Sequence, residues 1–161
     1  MRSRFLSTLA LIVAAMSLIF AGVASASTAT ASYAGSVCYR AHVEKIGWQD
    51  WACNGQIAGT TGQSLRLEAL DIARQDGETI CANAHVQDIG WQGWRCGTSV
   101  SVGTTGQSLR MEALTLSAVD TVCANAHVQD IGWQGWSCGN SVTVGTTGQA
   151  LRMEAIRIIL P

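Results

Sequence analysis

The chain has 161 residues, of which 48% are hydrophobic and 13% are charged, and its formal net charge is −1. This length allows one domain or two small ones, with enough residues for a hydrophobic core. The near-neutral charge balance argues against nucleic acid as a partner and against a polybasic membrane-binding patch.

The apolar residues are concentrated at the N terminus. Residues 1–26 begin with Arg2 and Arg4, continue with an apolar stretch over 9–23 and end in the small residues Ala-Ser-Ala. This three-part order is typical of a secretory signal peptide cleaved after residue 26, and an uncleaved membrane anchor is the alternative. We therefore expect a secreted, extracellular protein with a flexible leader over 27–35 and no membrane span after cleavage.

The rest of the chain repeats one unit three times. Residues 81–113 and 123–155 are identical at 29 of 33 positions, and an earlier copy begins at Cys38. Each copy carries two cysteines, an A-H-V segment, a G-W-Q-x-W motif and a G-T-T-G segment. One such unit cannot bury its own hydrophobic face, so we predict a single domain over 36–161. The predicted repeats 1, 2 and 3 are residues 36–78, 79–120 and 121–161.

The order of residue types predicts β-strands, and one hairpin register brings the two cysteines of each unit together. In repeat 1, a four-residue loop that places Val43 opposite Trp48 also places Cys38 opposite Cys53. Directly opposed cysteines of an antiparallel pair lie within disulfide reach. Bonds between successive repeats are the alternative, and zinc is disfavoured because the spacing lacks short zinc knuckles. The predicted disulfides are Cys38–Cys53, Cys81–Cys96 and Cys123–Cys138.

These elements predict an all-β fold, a pseudo-threefold domain of three repeats of about 42 residues stapled by disulfides. A β-prism is favoured and a β-trefoil is the alternative, on fold-level analogy alone. The L-R-x-E-A segment that closes each unit also suits a helix, but the β-branched end of the third copy favours a strand. Within this segment, Arg66 and Glu68 and their equivalents are predicted to form ion pairs.

The ordered motifs Y-R-x-H-V, G-W-Q-x-W, G-T-T-G-Q-S and L-R-L-E-A-L closely resemble the ChW repeat, a clostridial hydrophobic repeat named for its tryptophan. The resemblance covers residues 39–72, 82–116 and 124–160. The cysteine pairs depart from the family pattern, as do the Ala-Asn dipeptides that replace Tyr39-Arg40 in repeats 2 and 3. Family members are surface or secreted proteins of Gram-positive bacteria, often joined to carbohydrate-acting or adhesive modules. The resemblance therefore implies an extracellular interaction role and supplies no catalytic residues.

The predicted register also separates the two tryptophans of each motif. In repeat 1 it places Trp48 on the core face with Val43, and Trp51 on the outer face with His42, Gln49 and Arg40. Trp91 and Trp133 are likewise expected on the core face of repeats 2 and 3. An indole beside amide and imidazole groups suits a sugar ring, because the C–H face stacks on the indole while the polar groups bind hydroxyls. Burial of both tryptophans, with a structural histidine, is the alternative. The candidate ligand-binding residues are Arg40, His42, Gln49, Trp51, Asn83, His85, Gln92, Trp94, Asn125, His127, Gln134 and Trp136.

We therefore expect a secreted, non-catalytic, lectin-like protein that recognises cell-wall or other extracellular polysaccharide through three equivalent weak sites. Three sites on one scaffold would gain affinity for a polymer by avidity. Repetition argues against an enzyme, because a catalytic site needs different residues in different roles. No cofactor and no metal are expected. An adhesion or surface-structural protein that binds other proteins is the alternative.

Overall fold

A computed structural model describes residues 36–161, which form thirteen β-strands and, within that range, no helix. The predicted signal peptide and leader lie outside the described residues. Repeat 1 contains β1 (Val37–Val43), β2 (Gly47–Trp48), β3 (Ala52–Cys53), β4 (Ala58–Gly59) and β5 (Leu67–Arg74). Repeat 2 contains β6 (Ile80–Val86), β7 (Gly90–Trp91), β8 (Arg95–Gly97), β9 (Ser99–Gly103) and the first half of β10 (Met111–Val128). Repeat 3 contains the second half of β10, β11 (Gly132–Trp133), β12 (Ser137–Gly145) and β13 (Met153–Ile159).

The predicted all-β fold with a threefold repeat is confirmed. The L-R-x-E-A segments enter strands β5, β10 and β13 rather than helices. The first strand of each repeat is the centre of that repeat, and in repeats 1 and 2 its burial alternates strictly between the core and the outer face. In β1 the buried residues are Val37, Tyr39, Ala41 and Val43. The outward residues of β1 are Cys38, Arg40 and His42.

The repeats exchange strands in a closed ring. Strand β5 pairs with β1 of its own repeat and with β9 of repeat 2. The first half of β10 pairs with β6 of its own repeat and with β12 of repeat 3. Strand β13 pairs with β10 and closes the ring on β4 of repeat 1, through Ala155 with Gly59 and Ile156 with Ala58. Each repeat therefore completes the sheet of the preceding one, so the three fold as one unit. The preference for a β-prism over a β-trefoil stays a prediction.

The inward faces of all three repeats meet in one core made mainly of aliphatic side chains. No tryptophan among the described residues belongs to that core. Its one large aromatic, Tyr39, is fully buried; its hydroxyl donates to the carbonyl of Gln56 and accepts from the backbone N–H of Ile158. A buried hydroxyl needs such partners, and here they tie repeat 1 to repeat 3.

Each repeat contains the disulfide predicted for it, and the three S–S bonds are 2.04, 2.01 and 2.02 Å long. No free cysteine is present among the described residues. Bonded cysteines of this number fit an extracellular protein, because such bonds persist in oxidising compartments. The described residues contain no helix of the length and apolar character that a membrane span requires.

The predicted hairpin loop is wrong by one residue, although its cysteine pairing is right. Val43 pairs with Gly47 and His42 with Trp48, so the loop has three residues instead of four. Lys45 and Gly47 adopt left-handed backbone angles, with φ of 65° and 85°, which tightens the turn. An extra residue before β3 then restores Cys38 opposite Cys53. A one-residue change of register moves a side chain to the opposite face of a strand.

Candidate functional site

The tryptophans of all three G-W-Q-x-W motifs lie toward solvent. Trp48 is 38% exposed and Trp51 45%, and in repeat 2 Trp91 is 43% and Trp94 52% exposed. In repeat 3, Trp136 is 45% exposed and Trp133 is half-buried. The expectation that Trp48, Trp91 and Trp133 belong to the core is therefore wrong, because the shorter loop puts them opposite the outward histidines. The outer tryptophan expected in each repeat is accompanied by a second one.

The histidine of each repeat is held between a buried carboxylate and an indole. Glu68 is the extra residue of a β-bulge, since His42 pairs with Ala69 but Val43 pairs with Leu67. Its Oε2 lies 3.1 Å from Nδ1 of His42, a close contact that is not aligned as a hydrogen bond. The imidazole ring meets Trp48 edge-on at 5.3 Å between ring centres.

An arginine holds the other oxygen of that carboxylate. The Arg66 guanidinium binds Oε1 of Glu68 at 2.8 Å, which confirms the predicted ion pair. Repeats 2 and 3 reproduce the contacts with the same 3.1 Å spacing between histidine and glutamate. The sequence did not reveal the link from arginine through glutamate to histidine, because it depends on the bulge. The equivalent sets are Arg110, Glu112 and His85 in repeat 2, and Arg152, Glu154 and His127 in repeat 3.

The glutamine of each motif belongs to the scaffold. Oε1 of Gln92 accepts the backbone N–H of Gly103 at 2.8 Å, and its Nε2 donates to the carbonyl of the same glycine at 3.2 Å. Both ends of the amide are thus occupied, which corrects the expectation that Gln49, Gln92 and Gln134 face a ligand. Gln49 binds Gly59 and Gln134 binds Gly145 in the same way.

The space between the two indoles of a repeat, here named the indole slot, is filled in repeat 1. The guanidinium carbon of Arg40 lies 4.8 Å from the ring centre of Trp48 and 5.0 Å from that of Trp51. Asp71, directly opposite on β5, binds the same guanidinium at 2.9 Å and accepts a hydrogen bond from Ser101 of repeat 2. Arg40 therefore packs against both indoles as a cation fixed by a carboxylate.

The other two repeats carry different residues at this cross-strand pair, so the three sites are not equivalent. In repeat 3 the pair is Asn125 and Arg157, and Arg157 lies 5.5 Å from the Trp133 ring centre. In repeat 2 the pair is Asn83 and Thr115, both uncharged. The expectation of three equivalent sites is corrected accordingly.

A cleft of about 450 Å³ opens beside Trp51 in repeat 1. Asp50 and Gln56 contribute polar groups to its lining, and Ile57 contributes an apolar side chain that is 47% exposed. The combination of an indole, a carboxylate and an amide suits a ligand with both C–H faces and hydroxyl groups.

The hairpin tips add exposed apolar side chains beside the indoles. Ile46, Ile89 and Ile131 occupy the same position in the three repeats, and each is about half exposed. Exposed large apolar side chains are common in interaction surfaces. Among residues 36–161, no group of three or more His, Cys, Asp or Glu side chains could hold a metal ion.

Comparison with curated proteins and with solved structures gives no match to this chain. Comparison with protein-family models does give one, to the family described as Clostridial hydrophobic W. The model matches three times, at residues 42–76, 85–120 and 127–161, and each match begins at the outward histidine of a repeat. These matches span more than half of the sequence and coincide with the three structural repeats. The chain therefore belongs to the ChW, or Clostridial hydrophobic W, family.

Proposed function

We propose that this is a secreted, non-catalytic protein that binds cell-wall or other extracellular polysaccharide. One observation supports the proposal best. In repeats 1 and 2, both tryptophans of the motif are exposed on the outer face of a disulfide-bonded domain: Trp48 and Trp51, and Trp91 and Trp94. Leaving such large apolar rings in water is unfavourable unless a partner covers them.

The chemistry of the surroundings supports a sugar ligand. The indoles of repeat 2, over which no cation lies among the described residues, offer flat apolar faces for the C–H side of a pyranose. The cleft beside Trp51 adds the carboxylate of Asp50 and the amide nitrogen of Gln56. The histidines lie 3.1 Å from buried glutamates and meet the first indole of each motif edge-on, so an imidazole edge lies beside each of these indoles. Three such surfaces on one rigid ring would add their weak affinities along a polymer.

The proposal that the protein is not an enzyme rests on the carboxylates. Glu68, Glu112 and Glu154 are each less than a tenth exposed and each is paired with an arginine. A glycoside hydrolase needs two carboxyl groups that flank a scissile bond in the same cleft. The cleft beside Trp51 has one carboxylate in its lining, that of Asp50.

Binding to peptidoglycan, chitin and cellulose, and to a glycan array, tests the proposal. We expect the protein to be retained by at least one polymer, and the Trp51→Ala, Trp94→Ala and Trp136→Ala variants to be retained progressively less when combined. Val119→Ala is the matched control, because Val119 is 70% exposed but lies outside the indole surfaces. Failure to bind any of these glycans would refute the proposal.

A second candidate function is adhesion to another protein at the cell surface. It is favoured by the three hairpin-tip isoleucines, Ile46, Ile89 and Ile131, because protein interfaces rather than sugars cover aliphatic side chains. Recovery of a protein partner by crosslinking, lost in Ile89→Ser and accompanied by no glycan binding, would select this alternative.

A further inference from the structure

We propose that the indole slot of repeat 2 binds the guanidinium group of an arginine side chain presented by a partner protein. The inference goes beyond polysaccharide binding and does not depend on it. It rests on a comparison of the three slots, since the same frame is filled by the chain's own arginine in one repeat and is left open in another.

Repeat 1 shows which group the slot accepts. The guanidinium of Arg40 lies within 5.0 Å of the ring centres of both Trp48 and Trp51, so a planar cation is in contact with two aromatic rings. Guanidinium groups are favoured over indole faces because the ring quadrupole attracts the cation and the planar group stacks. Repeat 3 also places an arginine in this region, with Arg157 over Trp133.

Repeat 2 preserves the packing of histidine against the first indole, and no described arginine lies over either of its indoles. His85 meets Trp91 at the same 5.3 Å and 81° as the corresponding pairs in repeats 1 and 3. Within residues 36–161, however, no cationic side chain lies over either Trp91 or Trp94. Both rings are also more exposed than their counterparts in repeat 1, 43% against 38% and 52% against 45%.

Arg95, the neighbour of Trp94 in sequence, does not fill the slot. It pairs across the hairpin with Ala82, which faces the core, so the two share the face opposite to the indoles. Its side chain is exposed and makes no ion pair or hydrogen bond within the described part of the chain.

An unused acceptor adds to the case for a donor ligand. Oδ1 of Asn83 is buried and accepts no hydrogen bond from any described residue. In repeat 3 the same atom of Asn125 accepts the backbone N–H of Gly135 at 3.0 Å. A buried acceptor without a donor is unfavourable, and a guanidinium carries five N–H donors. Because this oxygen is buried, an arginine that enters between Trp91 and Trp94 supplies the cation directly and donates to the acceptor only after the Asn83 side chain turns toward the slot.

The indole slot of repeat 2 is expected to bind arginine with low affinity in the wild-type protein. In repeat 1 the carboxylate of Asp71 fixes the cation, whereas repeat 2 has Thr115 at that position. Thr143 lies opposite Thr115, as Ser101 lies opposite Asp71. A Thr115→Asp variant would therefore reconstruct the repeat 1 arrangement, including the neighbouring hydroxyl.

The direct test is titration of the disulfide-bonded protein with N-acetyl-arginine amide, observed through the six indole N–H signals by NMR. We expect the signals of Trp91 and Trp94 to shift in a saturable way, while those of Trp48 and Trp51 stay in place. Glucosamine, which carries an ammonium on a sugar ring, is the competing probe. Equal shifts of all six signals, or an equal response to glucosamine, would overturn the proposal.

Three substitutions are expected to change arginine binding in different ways. Asn83→Arg supplies the arginine of repeat 1 and should abolish the shifts at Trp91 and Trp94. Arg40→Asn should open a second slot and add shifts at Trp48 and Trp51. Thr115→Asp should tighten binding several-fold. Retained binding in a folded Asn83→Arg variant, whose other indole signals are unchanged, would overturn the proposal whatever the result with polysaccharides.

Discussion

Gly59 and Glu154 cross so closely that no side chain fits between the first and last repeats. A Cβ atom on Gly59 would lie 2.3 Å from the carbonyl oxygen of Glu154. The same carbonyl accepts the backbone N–H of Thr60 at 2.8 Å. Gly103 against Glu68 and Gly145 against Glu112 repeat this contact at the other two junctions, at 2.4 and 2.3 Å. The glycine that opens each G-T-T-G segment is therefore the point where one repeat is joined to its neighbour.

Gly59→Ala is expected to lower the free energy of unfolding by about 3 kcal/mol or more. The left-handed backbone, with φ of 104°, disfavours any L side chain by about 1–2 kcal/mol, and forcing the backbones apart adds about 1–3 kcal/mol. Gly62→Ala is the control in the same loop, because its φ is 72° but no atom lies within 4 Å of the added Cβ. Chemical denaturation should show a clearly larger loss for Gly59→Ala, and equal losses would contradict the crossing.

Removal of the Gln92 amide, which binds both backbone groups of Gly103, is expected to destabilise the domain while leaving both indoles of the repeat in place. Gln92→Ala leaves the backbone N–H and carbonyl of Gly103 without the partners they now have, which costs about 1–3 kcal/mol. The exposed Gln107, which makes no hydrogen bond within the described residues, is the matched control; Gln107→Ala should change stability by less than about 0.5 kcal/mol. Thermal unfolding curves that coincide for the two variants would show that the hydrogen bonds between Gln92 and Gly103 contribute nothing to stability.

The repeats, the all-β class and the three disulfides could be predicted from the sequence alone. These depend on periodicity and on local pairing, and the cysteine spacing fixed one end of each hairpin, at Cys38 and Cys53. It did not fix the other end. A loop one residue shorter, compensated by one extra residue between Gln49 and Ala52, keeps the cysteines opposed but moves Trp48 from the expected core face to the outer face.

Other features depend on contacts between distant parts of the chain. The pairing of β4 with β13 joins Ala58 to Ile156, and no local pattern signals it. The bulge at Glu68 likewise appears only once β5 is aligned with β1. The Arg40 and Asn83 difference is visible in the sequence, but its meaning required the position of both indoles. The closure of the ring of repeats and the indole slots could therefore not be predicted from the sequence alone.

Loss of one disulfide is expected to destabilise the ring by about 3 kcal/mol, because each bond closes a loop of about 15 residues in the unfolded chain. The double variant Cys81→Ser with Cys96→Ser removes the bond of repeat 2. The corresponding change at Cys38 and Cys53 is the matched comparison, since both pairs have a sequence separation of 15. Urea denaturation should give similar losses for the two. A negligible loss in either would contradict a stabilising role.

Arg74 gives the domain an acid-sensitive contact that the other repeats lack. Its side chain is only 1% exposed and binds Asp76, and the same nitrogen lies 3.1 Å from Asp120 of repeat 2. The hydrogen bond from Arg74, helped by the backbone N–H of Glu78, lowers the pKa of Asp76 from 3.8 to about 2. A carboxylate whose pKa is depressed by folding stabilises the folded state above its ordinary pKa. That stability is lost as the pH falls from about 4 through about 2.

Asp76→Asn should therefore be less stable than the wild type at pH 7 and approach it as the pH falls toward 2. The reason is that the substitution removes the charge that holds the buried Arg74, whereas protonation removes the same charge from the wild type at low pH. Urea denaturation at several pH values between 2 and 7 measures the difference. Asp88→Asn is the control, because Asp88 is exposed and pairs with no cation among the described residues. A constant gap between Asp76→Asn and wild type at every pH would show that the contact with Arg74 does not depend on the charge of Asp76.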